Sequence, residues 1–332
     1  MKMTKNNKTI TWLTPHSSQT GGNWVTKKVQ SELSENYSIT TKTFEHGSSL
    51  IGHGLSAAQF ATHNNDSVDL WVENPFTFSF KRPGIRTDDI VACHHIHYPH
   101  PSNAWYQPSE VGRRIKNELF LKRAAHASRV VVVSDYWKQF LNNHGITNVS
   151  KVHNGLPIEN FDFDQEKVDK LKKELSPDDK PIIHLGIPAK LKGTKKAYHE
   201  LKGMDAKFIT TGRKDYHLPV EHLNPDYEGY LRILAAADVV VSMSQFDEGW
   251  GLFVHEALLA GTPVVGTGRG GMSELLNGGD QIVCEEFSDL KSSVRKALDM
   301  KESLGKSGHQ FVKQFSVERM VSGWDQIFKE IP

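Results

Sequence analysis

Cysteine is scarce. Only Cys93 and Cys284 occur in 332 residues, and they lie far apart in the chain. This excludes a disulfide-stapled scaffold and argues against the paired Cys spacings of structural zinc domains. Apolar runs are short as well, and none approaches the roughly 20 residues that a membrane-spanning helix requires. Net charge is nearly absent, at +1 from 40 Lys+Arg against 39 Asp+Glu, so the chain as a whole is no general ligand for polyanions. There is no evident internal repeat or low-complexity tract. The opening stretch "MKMTKNNKTITWLTPHSS" is basic but lacks the apolar centre of a secretory signal. A cytoplasmic location is therefore expected, with peripheral attachment to a membrane left open.

What is present is an ordinary globular composition, 38% hydrophobic and 24% charged, in a chain long enough for two domains. The charge is divided unevenly. Residues 1–160 hold 17 Lys+Arg and 12 Asp+Glu (+5), and the remainder hold 23 and 27 (−4). Eleven of the 17 histidines fall in the first 160 residues.

Apolar β-branched runs alternate with helical patterns along the whole chain. "KTITWL", "VDLWVE", "DIVACHH" and "RVVVVS" read as strands, the last without polar alternation and hence buried on both faces. Residues 109–128 read as an amphipathic helix with Ile115, Leu119 and Phe120 on its apolar side. "DYWKQFLNNHG" reads as another, with Gly145 just past its end. A charged, Pro-bounded stretch at 156–180 interrupts the pattern and suits a linker carrying a short helix. Alternation then resumes through "PIIHLGI", "AKFITTG", "DVVVSMS", "TPVVGTG" and "DQIVCE", each followed by a helical segment. Two such blocks predict two Rossmann-like domains of parallel α/β type. The boundaries are placed at 1–160, a linker at 161–180, a second domain at 181–315 and a terminal helix at 316–332.

In open parallel sheets ligands bind beyond the carboxyl ends of the strands, so the segments after strands carry the functional reading. After the first comes a Gly-containing loop with Gly21 and Gly22, leading into a helix whose amides could meet an anion. After "PIIHLG" come Lys190 and Lys192, point charges suited to a diphosphate or simply solvated. After "DVVVSMS" comes "SQFDEGWGLFVHEALLAGTPVV", in which Glu248 and Glu256 flank Gly249, Trp250, Gly251 and Leu252. The glycines free backbone amides at a helix start for a phosphate, and carboxylates accept pairs of hydroxyls such as a ribose or sugar diol. The alternative is a helix-start charge at Glu256 and a surface residue at Glu248. After "DIVAC" stand His94, His95, His97 and His100. Cys93, His95 and His97 would share one face of an extended strand, but the usual zinc spacings are missing and no metal is expected. The Pro-rich loop 98–108 carries Trp105 and Tyr106. The helix after it carries Arg113, Arg114, Lys116, Lys122 and Arg123, suited to solvent, a phosphorylated lipid surface or a nucleic-acid backbone.

Together these motifs resemble the retaining glycosyltransferases of family 4, which have the GT-B fold: two Rossmann-like parallel-sheet domains facing a central cleft. The strongest piece is "EGWGLFVHEALLAGTPVV". "GRGGMSELL", "AAADVVVSMS", "VVVSDYWKQFLNNHGI", "VHNGLP" and "LKG" at 191–193 follow the family order. The resemblance implies metal-independent transfer of a hexosyl or pentosyl group, with retention, from a UDP-sugar or GDP-sugar. It implies no cofactor beyond that donor. It leaves the acceptor open among glycan, lipid-linked and nucleic-acid hydroxyls, and assigns it mainly to the first domain. By the same resemblance Glu256 holds the ribose, and Glu248 lies against the donor sugar. Amides from Gly249 to Leu252 hold the sugar or diphosphate. Lys192 neutralises the diphosphate, with Lys190 and the Gly21–Gly22 loop assisting. A histidine, His95 or alternatively His94, contacts the sugar near the leaving group, and the terminal helix crosses back to the first domain. One departure stands out: Ile187 follows Gly186 where the family usually carries arginine. It leaves open a catalytically impaired nucleotide-sugar-binding protein on the same fold, unless Lys190 or Arg213 supplies the missing cation.

Overall fold

The computed structural model describes residues 8–15, 21–44, 68–80, 89–96 and 108–332. The chain divides into two compact units, Met1–Gly155 with Val317–Pro332, and Leu156–Ser316.

In the first unit the strands are β1 (Thr9–Pro15), β2 (Ser38–Phe44), β3 (Leu70–Glu73), β4 (Asp89–Cys93), β5 (Arg129–Val132) and β6 (Val149–Lys151). They form one parallel sheet in the order β2-β1-β3-β4-β5-β6. Its described helices are α1 (Gly21–Leu33), α2 (Pro75–Phe80), α3 (Pro108–Ala124) and α4 (Asp135–Asn143). Val130, Val131 and Val132 are buried, as a strand covered on both faces requires. Ser134 caps α4, its hydroxyl accepting from the Trp137 amide at 3.4 Å.

α3 differs in one respect from its expected apolar face. Phe120 and Ala124 enter the core, but Ile115 is 56% exposed. Positions five apart are separated by roughly 140° around a helix of 3.6 residues per turn, so Ile115 and Phe120 cannot share a face. Among the basic residues of this helix, Arg123 turns inward and donates to the Ser79 carbonyl at 2.5 Å. Most of the 98–108 loop, with Trp105 and Tyr106, lies outside the described residues, as do His97 and His100.

The second unit contains β7 (Ile182–His184), β8 (Lys207–Thr211), β9 (Glu221–Leu223), β10 (Val239–Ser242), β11 (Val264–Gly266) and β12 (Ile282–Val283). Here the parallel order is β12-β11-β10-β7-β8-β9. The helices are α5 (Gln165–Leu175), α6 (Thr194–Leu201), α7 (Tyr227–Ala236), α8 (Leu252–Leu259), α9 (Met272–Gly278), α10 (Leu290–Asp299) and α11 (Lys301–Val312). The chain runs outward from β7 through β8 to β9, then returns to lay β10 on the other side of β7. The order therefore reverses between β7 and β10, the place where open α/β sheets bind ligands.

α5, which the sequence pattern reads as part of a linker, packs on this unit through Val168 and Leu175. It also contributes to a part-buried charge cluster. Asp238, at the foot of β10, accepts from Lys172 of α5 and from Lys301 of α11, each at 2.5 Å, and from the Ile182 amide at 2.9 Å. Burial opposes ionisation of Asp238, but the two lysines outweigh it and hold the carboxyl below its ordinary value.

The last helix, α12 (Val317–Glu330), belongs to the first unit. Its buried face carries Val317, Met320, Trp324, Ile327 and Phe328. Trp324 lies 5.0 Å from Trp12 of β1, ring centre to ring centre, and Tyr37 donates to Asp325 at 2.8 Å. Among the described residues no helix is long and apolar enough to cross a membrane.

Candidate functional site

The carboxyl ends of β7 and β10 bring the second unit's candidate residues together. After β7 the chain passes Ile187 and makes a short 3-10 turn, Lys190–Lys192, ending at Gly193. Gly193 adopts φ +70°, and a Cβ there would sit 2.1 Å from the Met243 carbonyl oxygen. Only glycine allows the lysine turn to approach the end of β10 this closely. The approach delivers Lys192 Nζ to 2.6 Å from Glu248 Oε1. The ammonium also lies 4.9 Å from the centre of the Phe246 ring. Glu248 is buried, and Ser244, at the end of β10, donates to the same oxygen. Lys192 and Glu248, read separately in the sequence, thus form one ion pair.

The Glu248 loop is pinned from behind by "GRGG". The Gly271 amide donates to the Glu248 carbonyl at 2.8 Å, and the Glu248 amide to the Arg269 carbonyl at 3.3 Å. Gly270, at φ +65°, leaves no room for a side chain, since a Cβ would lie 2.3 Å from the Glu248 carbonyl oxygen. This turn resembled the family in sequence, and its physical task is to brace Glu248.

Beyond Glu248, Gly249 and Trp250 lead to Gly251, the residue that precedes α8, and Leu252 is the first residue of that helix. Trp250 points its side chain into the core. Its indole N–H donates to His255 Nδ1 at 3.2 Å, and its ring meets Phe315 edge-on at 4.9 Å. The residue therefore offers a ligand its backbone alone, while its side chain anchors the loop. The amides at the helix start carry the positive end of the helix dipole.

Glu256 lies one turn into α8, part-buried. Two tyrosines of α7 reach it: Tyr230 donates to Oε2 at 2.8 Å and Tyr227 to Oε1 at 3.2 Å. Burial raises the Glu256 carboxyl to about 7, against the opposing pull of the two hydroxyls. Beneath Tyr230 and Phe253, His184 is fully buried; desolvation lowers it to about 3, so it stays neutral, with Nε2 2.9 Å from Thr211 Oγ1.

Ser244, Tyr227, Tyr230 and His184 were not singled out in the sequence. The Tyr227/Tyr230 spacing of three within "DYEGY" was a usable signal, because it places both rings on one helix face.

The surroundings of Ile187 are also defined. The residue is 36% exposed, and the Cβ position of Gly212 is 3.1 Å from its Cγ2, so the loop carrying Arg213 abuts it. Arg213 pairs with Asp215 at 3.3 Å, and Asp215 accepts from the Lys190 amide at 3.4 Å. The Lys190 side chain is exposed.

In the first unit Gly21 and Gly22 are not in the loop expected from sequence; they open α1 as its first two residues. His94 follows β4 and packs on Gly22, whose Cβ position is 3.5 Å from the imidazole. Its Nε2 lies 3.0 Å from Thr26 Oγ1 of α1, and desolvation lowers it to about 4, so it is neutral at ordinary pH. His95 is the next residue along and is half-buried. Cys93 and Cys284 are both free and buried, and burial pushes the Cys93 thiol up to about 12.

Residues 157–300 match the family Glycosyl transferases group 1. N-acetyl-alpha-D-glucosaminyl L-malate synthase of Bacillus anthracis is 25% identical over 329 residues, covering 84% of each chain. Among solved structures, sucrose-phosphate synthase of Thermosynechococcus elongatus superposes with a TM-score of 0.80 at 15% identity, covering 98% of this chain and 99% of that one. HepE of Anabaena, in complex with UDP and glucose, gives 0.74 at 15%, covering 98% and 100%. The structural likenesses establish the GT-B fold, and the match to Glycosyl transferases group 1 lies in residues 157–300, the stretch that carries Lys192, Glu248 and Glu256.

Proposed function

We propose that the chain moves a sugar from a nucleotide-sugar donor to an acceptor hydroxyl, with retention at the anomeric carbon and without a required metal. The observation that carries this reading is the convergence of Lys192, Glu248, the start of α8 and Glu256 where strand order reverses between β7 and β10. In this reading Glu256 accepts the ribose hydroxyls, Glu248 faces the donor sugar, and Lys192 with the Gly249–Leu252 amides meets the diphosphate. The anomeric C–O bond breaks and its electron pair passes to the diphosphate oxygen, where the lysine and amides stabilise the charge. The acceptor oxygen bonds to the anomeric carbon on the same face, and its proton goes to the departing phosphate.

The Lys192–Glu248 pair supports a double duty. The lysine is held in place by the carboxylate before the donor arrives, so little reorganisation is needed during reaction. Lys190, or Arg213 on the loop that abuts Ile187, is the candidate to supplement it where the family arginine is missing. For the first unit we propose that the start of α1 and His94 or His95 carry its share of the chemistry. The packing of His94 on Gly22 and Thr26 supports His94.

The test uses purified protein with UDP-sugars and GDP-sugars, HepE's UDP complex making UDP-sugars the first to try. Released sugar or product is followed by NMR before its anomers equilibrate. The reading expects the donor's own anomer, in the presence of EDTA. An inverted product refutes retention, and activity lost on chelation and restored by magnesium refutes metal independence.

A further inference from the structure

Glu256 is held in an unusual way. Both of its oxygens already accept a phenol, at 2.8 Å and 3.2 Å, and both phenols come from the first turn of one neighbouring helix. That turn is itself locked. Asp226 caps it by accepting from the Gly229 amide at 2.8 Å. Gly229 packs closely on this cap, its Cβ position being 2.9 Å from the Asp226 carboxylate and 3.0 Å from the Pro225 side chain. Pro225, Asp226 and Gly229 therefore fix where Tyr227 and Tyr230 start, and the spacing of three sends both hydroxyls toward α8.

In the trio both phenols donate and Glu256 accepts. Burial and the adjacent carboxylate keep both phenols well above their ordinary ionisation range, so each keeps the proton it donates to Glu256. A carboxylate accepts both, and each oxygen retains a further lone pair. A protonated carboxyl must itself donate and loses one of these bonds. The other neighbour is His184, behind Tyr230, which is neutral, and among the described residues no Lys or Arg pairs with Glu256. The two tyrosines are thus the groups that favour its charged, two-acceptor form against burial.

On the reading that Glu256 holds the ribose, we propose that Tyr227 and Tyr230 are positioning residues that keep it a flat, ionised acceptor for the ribose diol and thereby set the pH range in which the site takes a nucleotide. They orient both oxygens in advance and leave the remaining lone pairs directed at the two hydroxyls. Neither is required to touch the donor.

The experiment is a titration of the full chain with UDP, and in parallel GDP, between pH 5.5 and 9. It compares wild type, Tyr227→Phe, Tyr230→Phe and Glu256→Gln; the last has no carboxyl and so supplies the baseline for the ligand's own phosphate ionisation. For wild type, affinity relative to that baseline should fall tenfold per pH unit below a midpoint near 7. Losing either phenol should move the midpoint upward by about one pH unit, more for Tyr230, the closer donor, with little change at pH 9. Midpoints unchanged in both Phe variants, while Glu256→Gln still weakens binding tenfold or more, overturn this inference and leave the ribose reading standing. Wild-type affinity in Glu256→Gln overturns the ribose reading itself. Tyr227 is partly exposed, so Tyr227→Phe remains informative if Tyr230→Phe does not fold.

Discussion

Glu256 should make the protein less stable than it would be without that charge. The folded carboxyl titrates at about 7 against an ordinary value of 4.5. A carboxyl raised on folding adds nothing unfavourable below its unfolded value and its full penalty above its folded value. The difference is about 2.5 pH units, which at ~1.36 kcal/mol per unit is roughly 3 kcal/mol at pH 8. At pH 5 the same relation leaves under about 1 kcal/mol. Glutamine keeps an acceptor for one tyrosine and turns an amide N–H₂ toward the other, losing on the order of 1 kcal/mol. Glu256→Gln is therefore expected to be about 2 kcal/mol more stable at pH 8 and no more stable at pH 5. For a unit of this size that is roughly 4–8 °C in Tm. The assay is thermal and urea unfolding at both pH values, following the second unit by a probe such as Trp250 fluorescence. A variant equally stabilised at the two pH values, or destabilised at pH 8, would refute the reasoning. The gain should accompany weaker nucleotide binding, since a ligand site is where such a penalty is tolerated.

Other outcomes follow from the same geometry. Lys192→Ala should lower kcat/KM for sugar transfer by roughly 10²–10³-fold, as loss of a preorganised group on a leaving-group charge does; steady-state kinetics with the best donor checks this. Gly270→Ala should cost ~3 kcal/mol or more, because the methyl would lie 2.3 Å from the Glu248 carbonyl oxygen at a backbone angle that disfavours side chains; urea unfolding together with donor binding measures both effects. Asp238→Asn should destabilise the second unit by roughly 1–2 kcal/mol at pH 7, because it removes the carboxylate shared by Lys172 and Lys301, whose side chains are 38% exposed and stay solvated. Asp238 is held below its ordinary 3.8, so its contribution is present above that value and is lost as pH falls through its folded value. The difference between Asn variant and wild type should accordingly shrink in acid.

The sheets were legible where burial leaves a non-alternating apolar run. Val130–Val132 and Val239–Val241 are central strands, and their sequence says so because both faces are covered. The edge strands were not legible. Ser38–Phe44 is rich in threonine with part-exposed positions, and Glu221–Leu223 is three residues long, so neither carries an apolar period. The Gly21–Gly22 pair suggests a loop because glycine disfavours helices, yet a first turn tolerates it. Ile115 lies near the apolar residues of α3 in sequence but off their face, and is exposed.

In the candidate site, Lys192, Glu248 and Glu256 were visible because each follows a strand end in a recognisable order. Their partners were not. Ser244 and Tyr230 act through contacts to a carboxylate from elsewhere in the fold, and Gly270 is needed because of where Glu248's backbone passes. Such roles depend on packing between segments that are distant in sequence, which no local pattern encodes.

The most direct test of the central claim is the ligand-induced change in melting temperature of wild type and Glu256→Ala across UDP, GDP and their sugars. A ligand that binds only the folded chain raises Tm, with stabilisation of about 2.7 kcal/mol at a hundredfold excess over Kd. The account predicts that at least one nucleotide-sugar family raises Tm in wild type and that the increment disappears in Glu256→Ala. An equal increment in the two proteins, or none in wild type with any of these ligands at millimolar concentration, would contradict it.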